Sequence, residues 1–125
     1  MLIQHAVTAT EGLEVTVKHG EQRIFVYLRG LFNFDSSPDF RDQLLAILRE
    51  QSPKVLIVDL TQVSYIDSSG ISTLLEALKI ARNCQTTLSL QGLEGRVVHL
   101  FEVTGLSTLF EASGYGNAPA ESKVN

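Results

Sequence analysis

The run Val55-Leu56-Ile57-Val58-Asp59-Leu60 constrains this chain more than any other stretch. It is rich in β-branched residues and bounded by the turn signal Ser52-Pro53. It is too short for a membrane span, which needs about 20 apolar residues. A run of this length and composition reads as a central strand covered on both faces. A chain built around such a strand must supply further strands beside it and helices to cover it.

The flanking segments supply both. Leu13 to Lys18 alternates apolar and polar residues with period two, as a strand with one wet face does. His19-Gly20-Glu21 then turns the chain into a second strand, Arg23 to Leu28, and the short connection predicts an antiparallel hairpin closed by Gly30. Leu31 to Ser37 is an aromatic-rich loop. Ser37-Pro38 reads as an N-cap followed by proline at the first helical position, and Phe40, Leu44, Ile47 and Leu48 then recur on one stripe with Arg41, Asp42, Arg49 and Glu50 on the wet side. Ser52-Pro53 ends that helix. Beyond the central run, a connection containing Val63, Tyr65 and Ile66 leads to a second helix from Asp67-Ser68-Ser69-Gly70 to about Asn83, with Ile71, Leu74, Leu75 and Leu78 as its apolar stripe. Thr86 to Leu90 is a further strand, Gly95 to Phe101 a third helix, and Leu106 to Phe110 adds a last helical turn. The alternation of strand and helix predicts one layered α/β domain over 13–112. Residues 1–12 form an N-terminal segment. The small, polar residues of 113–125 have no period and are expected to be a flexible tail.

At 125 residues the chain has one core, large enough to stand without disulfides or metal clips. Its single Cys84 cannot pair internally and reads as an idle thiol. A net charge of -4 argues against a surface built for nucleic acid, which needs a clustered basic face. With no membrane span and no signal peptide at Met1-Leu2-Ile3-Gln4-His5, the expected location is the cytoplasm. No metal-ligand spacing links His5, His19 and His99, so neither a metal nor a cofactor is expected.

The chemistry concentrates at Asp67-Ser68-Ser69-Gly70, where a strand hands over to a helix whose first N–H groups lack partners. One reading is structural: Asp67 or Ser68 is an N-cap worth about 1 kcal/mol relative to alanine, and Gly70 permits close packing. The other is functional, because a helix start also seats a phosphate. A phosphoserine at position 68 would carry about -1.5 to -2 charges at pH 7. The fold should tolerate it, whereas a partner docked across that helix end should not. Thr73, Ala77 and Ile80 form a second small apolar strip on the same helix, expected to be covered either by a partner or by a neighbouring helix of the domain.

Two enzyme-like readings fail on residue types. A nucleophile elbow wants Gly-x-Ser-x-Gly and a later histidine as base, but His99 is the only later histidine and falls in a predicted helix. A phosphoacceptor role for Asp59 would need several oxygen ligands around a Mg²⁺, and the N-terminal third offers no acidic pair at a strand end. No catalytic residue is assigned, and the chain is read as a binding module.

Leu56-Ile57-Val58-Asp59-Leu60-Thr61-Gln62-Val63-Ser64-Tyr65-Ile66-Asp67-Ser68-Ser69-Gly70-Ile71 resembles the signature of STAS domains, in particular the bacterial anti-sigma factor antagonists. Val26-Tyr27-Leu28-Arg29-Gly30-Leu31-Phe32-Asn33 with Ser37-Pro38, and Arg96-Val97-Val98 to Thr104-Gly105-Leu106, resemble further segments of that family, so the likeness covers Leu13 to Phe110. It implies a single STAS-like α/β domain with a mixed sheet of four to five strands and helices packed mainly on one face. It implies that Ser68 is phosphorylated by a partner that is both anti-sigma factor and ATP-dependent serine kinase, that unphosphorylated protein sequesters this kinase, and that a PP2C-type phosphatase restores the serine. Asp67 would position the serine hydroxyl, Ser69 and Gly70 would shape the approach of the kinase-bound nucleotide, and Asn33, Phe34 and Asp35 would belong to the docking surface with Thr73, Ala77 and Ile80. Members usually carry aspartate where this chain has Asn33, which removes a negative charge from the loop. The chain is expected to be a monomer or weak dimer. The alternative within the same fold is a STAS subunit of a transport or stress-sensing complex that binds its partner without serine phosphorylation.

Overall fold

A computed structural model of the protein describes residues 5–93, 95–103 and 105. The turn expected at Leu106 to Phe110 and the tail at 113–125 lie outside those residues. Five strands, β1 (His5–Thr10), β2 (Leu13–His19), β3 (Arg23–Phe32), β4 (Val55–Ile66) and β5 (Thr87–Gln91), form one sheet whose spatial order is the chain order. The first three pair antiparallel and the last three parallel. Helix α1 (Ser37–Ala46), extended by a π-helical turn over Ile47–Gln51, connects β3 to β4. Helix α2 (Ser68–Asn83) connects β4 to β5, and α3 (Gly95–Val103) follows. Two successive parallel crossovers of the usual right hand put α1 and α2 on the same face. The result is an α/β domain with a mixed sheet and its helices on one side.

The core follows from the alternation in each strand. Leu13, Val15 and Val17 of β2, Ile24, Val26 and Leu28 of β3, Leu56, Val58 and Leu60 of β4, and Leu88 and Leu90 of β5 all point to the helical face and are buried. The predicted stripe of α1, namely Phe40, Leu44, Ile47 and Leu48, meets them, as do Leu74 and Leu78 of α2 and Val97 and Phe101 of α3. Burying one such side chain fully contributes about 1.5–3 kcal/mol, so the stripes rather than local propensity hold these helices. The other sheet face carries no helix among the described residues. There Ile57 is buried beside its register neighbours Phe25 and Ser89, and Lys18 sits 5.2 Å above the Tyr27 ring. The central strand is therefore helix-covered on one face, not two.

The structure departs from the sequence expectations at several joints. β1 is an added edge strand, paired with β2 from His5↔Lys18 to Thr10↔Leu13, and it touches α1 through Thr10 Oγ1 donating to Asp39 Oδ2 at 2.7 Å. β3 does not stop at Gly30 but runs on to Phe32. Gly30 adopts φ +110, and a Cβ there would collide with the Gly12 carbonyl oxygen; Leu31 N–H donates to that same oxygen at 3.0 Å. The glycine thus permits two backbones to approach rather than ending a strand. β4 continues through the expected connection, so Val63, Tyr65 and Ile66 are strand residues. Register shifts opposite Tyr27/Arg29 and Gly30/Leu31 insert extra residues. Inward positions therefore fall three apart, at Leu60, Val63 and Ile66, which hides the strand from a period-two search. Helix α1 starts one residue earlier than expected, with Ser36 at the N-cap position and Pro38 second.

Candidate functional site

The parallel strands β3 and β4 end side by side, and both of their following helices begin there. Asp67 is the hinge between them. Its backbone is extended (φ -115, ψ -172), which aims the carboxylate back over the first turn of α2. Oδ1 accepts from Ser69 N–H at 2.9 Å and from Gly70 N–H at 3.2 Å. Oδ2 accepts from Phe34 N–H in the β3–α1 loop at 2.9 Å. The cap expected at this position is thus Asp67, and it also ties a second loop to the helix start. Its oxygens act on backbone amides of the turn, while the neighbouring Ser68 side chain is exposed.

The β3–α1 loop has its own organiser. Asn33 Oδ1 accepts from Asp35 N–H at 3.0 Å and Ser36 N–H at 3.2 Å. The Asn33 carbonyl accepts from Ser37 N–H at 2.8 Å. Ser36, buried, donates its hydroxyl to the Leu31 carbonyl at 2.8 Å and accepts from Asn33 N–H at 3.0 Å. Asparagine here does an acceptor's work that aspartate could do equally, without the charge. Beneath the loop, Phe32 and Phe40 pack edge to face with ring centres 5.3 Å apart. Above it, Phe34 is left 74% exposed.

Gly70 and the second strip of α2 are internal. A Cβ on Gly70 would lie 2.7 Å from Ile66 Cγ1 and 2.8 Å from the Phe32 carbonyl oxygen, so glycine is needed for α2 to seat on the strand ends. Thr73 and Ala77 are buried and Ile80 is half-buried against the core. This corrects the expectation that Thr73, Ala77 and Ile80 present an outer partner surface and realises the other one, cover from within the domain, with Thr73 alone of the three lining the groove between α1 and α2. The helix lies in a corner between sheet and α1, so two neighbouring stripes are buried instead of one. Thr73 further spends its hydroxyl on the Ser69 carbonyl at 3.0 Å.

What remains open is a shallow groove of about 370 Å³ between the two helix starts. Ser68, Ser69, Ser72, Thr73 and Glu76 line it from α2, and Ser37, Pro38, Arg41 and Asp42 from α1, with Phe34 at its head. Arg41 spans it to Glu76 with a bidentate pair, Nε to Oε1 at 2.6 Å and Nη2 to Oε2 at 2.7 Å. The hydrogen bond and charge of Arg41 hold the Glu76 carboxyl below its ordinary range, and Glu76 raises Arg41 in turn. The sequence places Arg41 on a wet face but does not pair it with Glu76. The only signal is opposite charges on two consecutive helices that the crossovers force into contact.

The STAS domain family model matches residues 13–118. The chain belongs to the STAS domain family. An anti-sigma-B factor antagonist of Listeria monocytogenes is 36% identical over 88 residues, covering 70% of this chain and 76% of the relative. One of Bacillus subtilis is 33% identical over 101 residues, covering 81% and 91%. The crystal structure of an anti-sigma factor antagonist from Mycobacterium paratuberculosis superimposes with a TM-score of 0.66 at 20% identity, covering 82% of this chain and 86% of that one, a likeness of fold. In this STAS domain the exposed positions at the site are Phe34, Asp35, Pro38, Asp42, Ser68 and Ser72, with Asn33 and Ser69 half-buried and Gly70 buried. Among the described residues no group of three His, Cys, Asp or Glu could hold a metal ion, and no helix is long and apolar enough to cross a membrane.

Proposed function

We propose that this STAS domain is an anti-sigma factor antagonist that works in the cytoplasm as a protein-binding switch, sequestering an anti-sigma factor serine kinase while Ser68 is unmodified. The kinase transfers the γ-phosphoryl group of ATP to Ser68 Oγ and releases ADP, and a PP2C-type phosphatase hydrolyses the ester. The relatives' names support the antagonist role. The observation that carries the site is that exposed Ser68 shares its groove with Phe34, an exposed aromatic side chain on a loop whose backbone the Asp67 carboxylate ties to the helix start. Such a residue gains nothing in the isolated fold and has the character of an interface anchor. Asn33 and Asp35 shape the loop that presents it. A phosphate on Ser68 sits at the positive end of α2, so folding survives. The same dianion, beside Asp67, opposes a desolvated contact with the kinase.

Calorimetric titration of the kinase with the unmodified protein, Ser68→Asp and Phe34→Ala tests this. Phe34→Ala should keep its melting temperature and bind at least about tenfold more weakly, a loss of about 1.4 kcal/mol. Ser68→Asp should also weaken binding, while Ser68→Ala should bind normally. Wild-type affinity for both Phe34→Ala and Ser68→Asp would remove the docking surface from this end of the domain and favour the alternative of a STAS subunit that binds without phosphorylation.

A further inference from the structure

We propose that Arg41 is the receptor for the phosphate on Ser68: the guanidinium leaves Glu76 for the phosphoserine, and the Ser37 hydroxyl donates to the same phosphate. The inference rests on the reading of Ser68 as the modified residue.

The layout of the groove favours the exchange. α1 and α2 start at the same end of the sheet and run the same way, with Ser37 and Ser68 as their first residues. Arg41 lies one turn along α1, whereas Glu76 lies two turns, about 12 Å, along α2 from Ser68. Arg41 therefore stands about midway between the two and now reaches away from the helix start. It is the single cation among the groove-lining residues; its Nη1 also pairs with Asp42 Oδ1 at 3.2 Å, and Glu76 feels the charges of Arg49 and Lys79 besides that of Arg41. Its side chain is 43% exposed and that of Glu76 38%, so the present pair is a solvent-facing one that contributes little and is readily exchanged. A phosphate dianion offers more charge and three acceptor oxygens in the bidentate geometry that guanidinium prefers.

A second observation points to the same ligand. Ser37 is 5% exposed and lines the same groove as Ser68, yet its hydroxyl oxygen is buried without a hydrogen-bond partner. A buried hydroxyl with nothing to bond is costly. An acceptor arriving at the groove head would satisfy it. The exchange releases Glu76 to the neighbouring charges of Arg49 and Lys79 and unclips α1 from α2 along their exposed edge. Phosphorylation then alters the whole groove and not one serine.

The test uses full-length protein carrying phosphoserine installed at position 68 during translation, so it does not depend on any kinase. If the kinase never modifies Ser68, the functional reading fails while this measurement still stands or falls by itself. The phosphate is titrated by ³¹P NMR and the Glu76 carboxyl by ¹³C NMR. Opposite charge favours the dianion, so the second phosphate pKa should lie below its usual value of about 6. It should rise by about half a unit or more in Arg41→Gln. It should fall further in Glu76→Gln, which removes the bidentate competitor for Arg41 and leaves only the single contact to Asp42. Ser37→Ala should raise it slightly. The Glu76 carboxyl, held down by Arg41 in the unmodified protein, should move up on phosphorylation. A phosphate pKa identical in wild type, Arg41→Gln and Glu76→Gln, with Glu76 titration unchanged by phosphorylation, overturns the proposal. The Glu76→Gln and ¹³C readouts keep it decidable even if Arg41→Gln is unstable.

Discussion

Replacing Asp67 with alanine removes three hydrogen bonds, two that cap α2 and one that ties the β3–α1 loop to it. The two bonds from Ser69 and Gly70 N–H are a helix cap, and losing such a cap costs about 1 kcal/mol. The bond from Phe34 N–H to Oδ2 is charge-assisted and crosses from one loop to another; bonds of that kind contribute about 1.5–3 kcal/mol. Because neighbouring losses overlap, the expected total is about 2–3 kcal/mol, which for a domain of this size lowers the melting temperature by about 10 °C. Asp67→Asn keeps one carbonyl oxygen for the cap but turns a second N–H group toward the Phe34 amide or loses that bond, so it should fall between wild type and alanine. Thermal unfolding by circular dichroism gives the totals, and amide hydrogen exchange assigns them: Phe34 should lose protection in both variants, Ser69 and Gly70 mainly in Asp67→Ala. If Asp67→Ala changes stability by less than about 0.5 kcal/mol, the range of ordinary surface substitutions, or if Phe34 exchange is unaffected, the carboxylate does not tie the loop to the helix.

Gly70→Ala should destabilise by several times the ordinary surface effect, because the added methyl meets the Phe32 carbonyl oxygen, which is backbone and cannot move aside cheaply; denaturant melts that match wild type would refute the close seating of α2. Asn33→Ala should cost about 1 kcal/mol through loss of its two loop N–H partners, while Asn33→Asp should retain stability, since the acceptor oxygen remains. The solvent-facing Arg41–Glu76 pair should give a small, acid-sensitive contribution. Glu76 has a depressed folded pKa, so the stabilisation is present above the ordinary carboxylate range and is lost as pH falls through the folded value. The stability difference between wild type and Glu76→Gln should accordingly be seen at neutral pH and close at acid pH.

Much of the fold is legible in the residues because burial imposes a period. The β2 alternation, the α1 stripe and the run at Val55 to Leu60 each report their own structure. The joints are not legible for an equally physical reason. β4 from Thr61 to Ile66 is a bulged strand whose inward residues fall three apart. Gly30 looks like a turn residue but serves a close backbone approach. β1 is an exposed edge strand, so its residues carry no burial pattern to read. At the site, Asp67 and Gly70 are recognisable from helix-start chemistry, and the structural reading of each is realised. Thr73, Ala77 and Ile80 mislead because the angular spacing of a stripe does not reveal what lies opposite it. The Arg41–Glu76 pair joins residues 35 apart in sequence and depends on how the two helices are laid together.

On the proposed function, Ser68, exposed at the start of α2, is the residue through which this domain is switched. Intact-mass analysis after incubation with ATP and the anti-sigma factor kinase, followed by peptide mapping, tests it most directly. One added phosphate is expected, located on Ser68 and absent from Ser68→Ala. Phosphate incorporated into Ser68→Ala, or found on Ser69 or Ser72 in the wild-type protein, would contradict it.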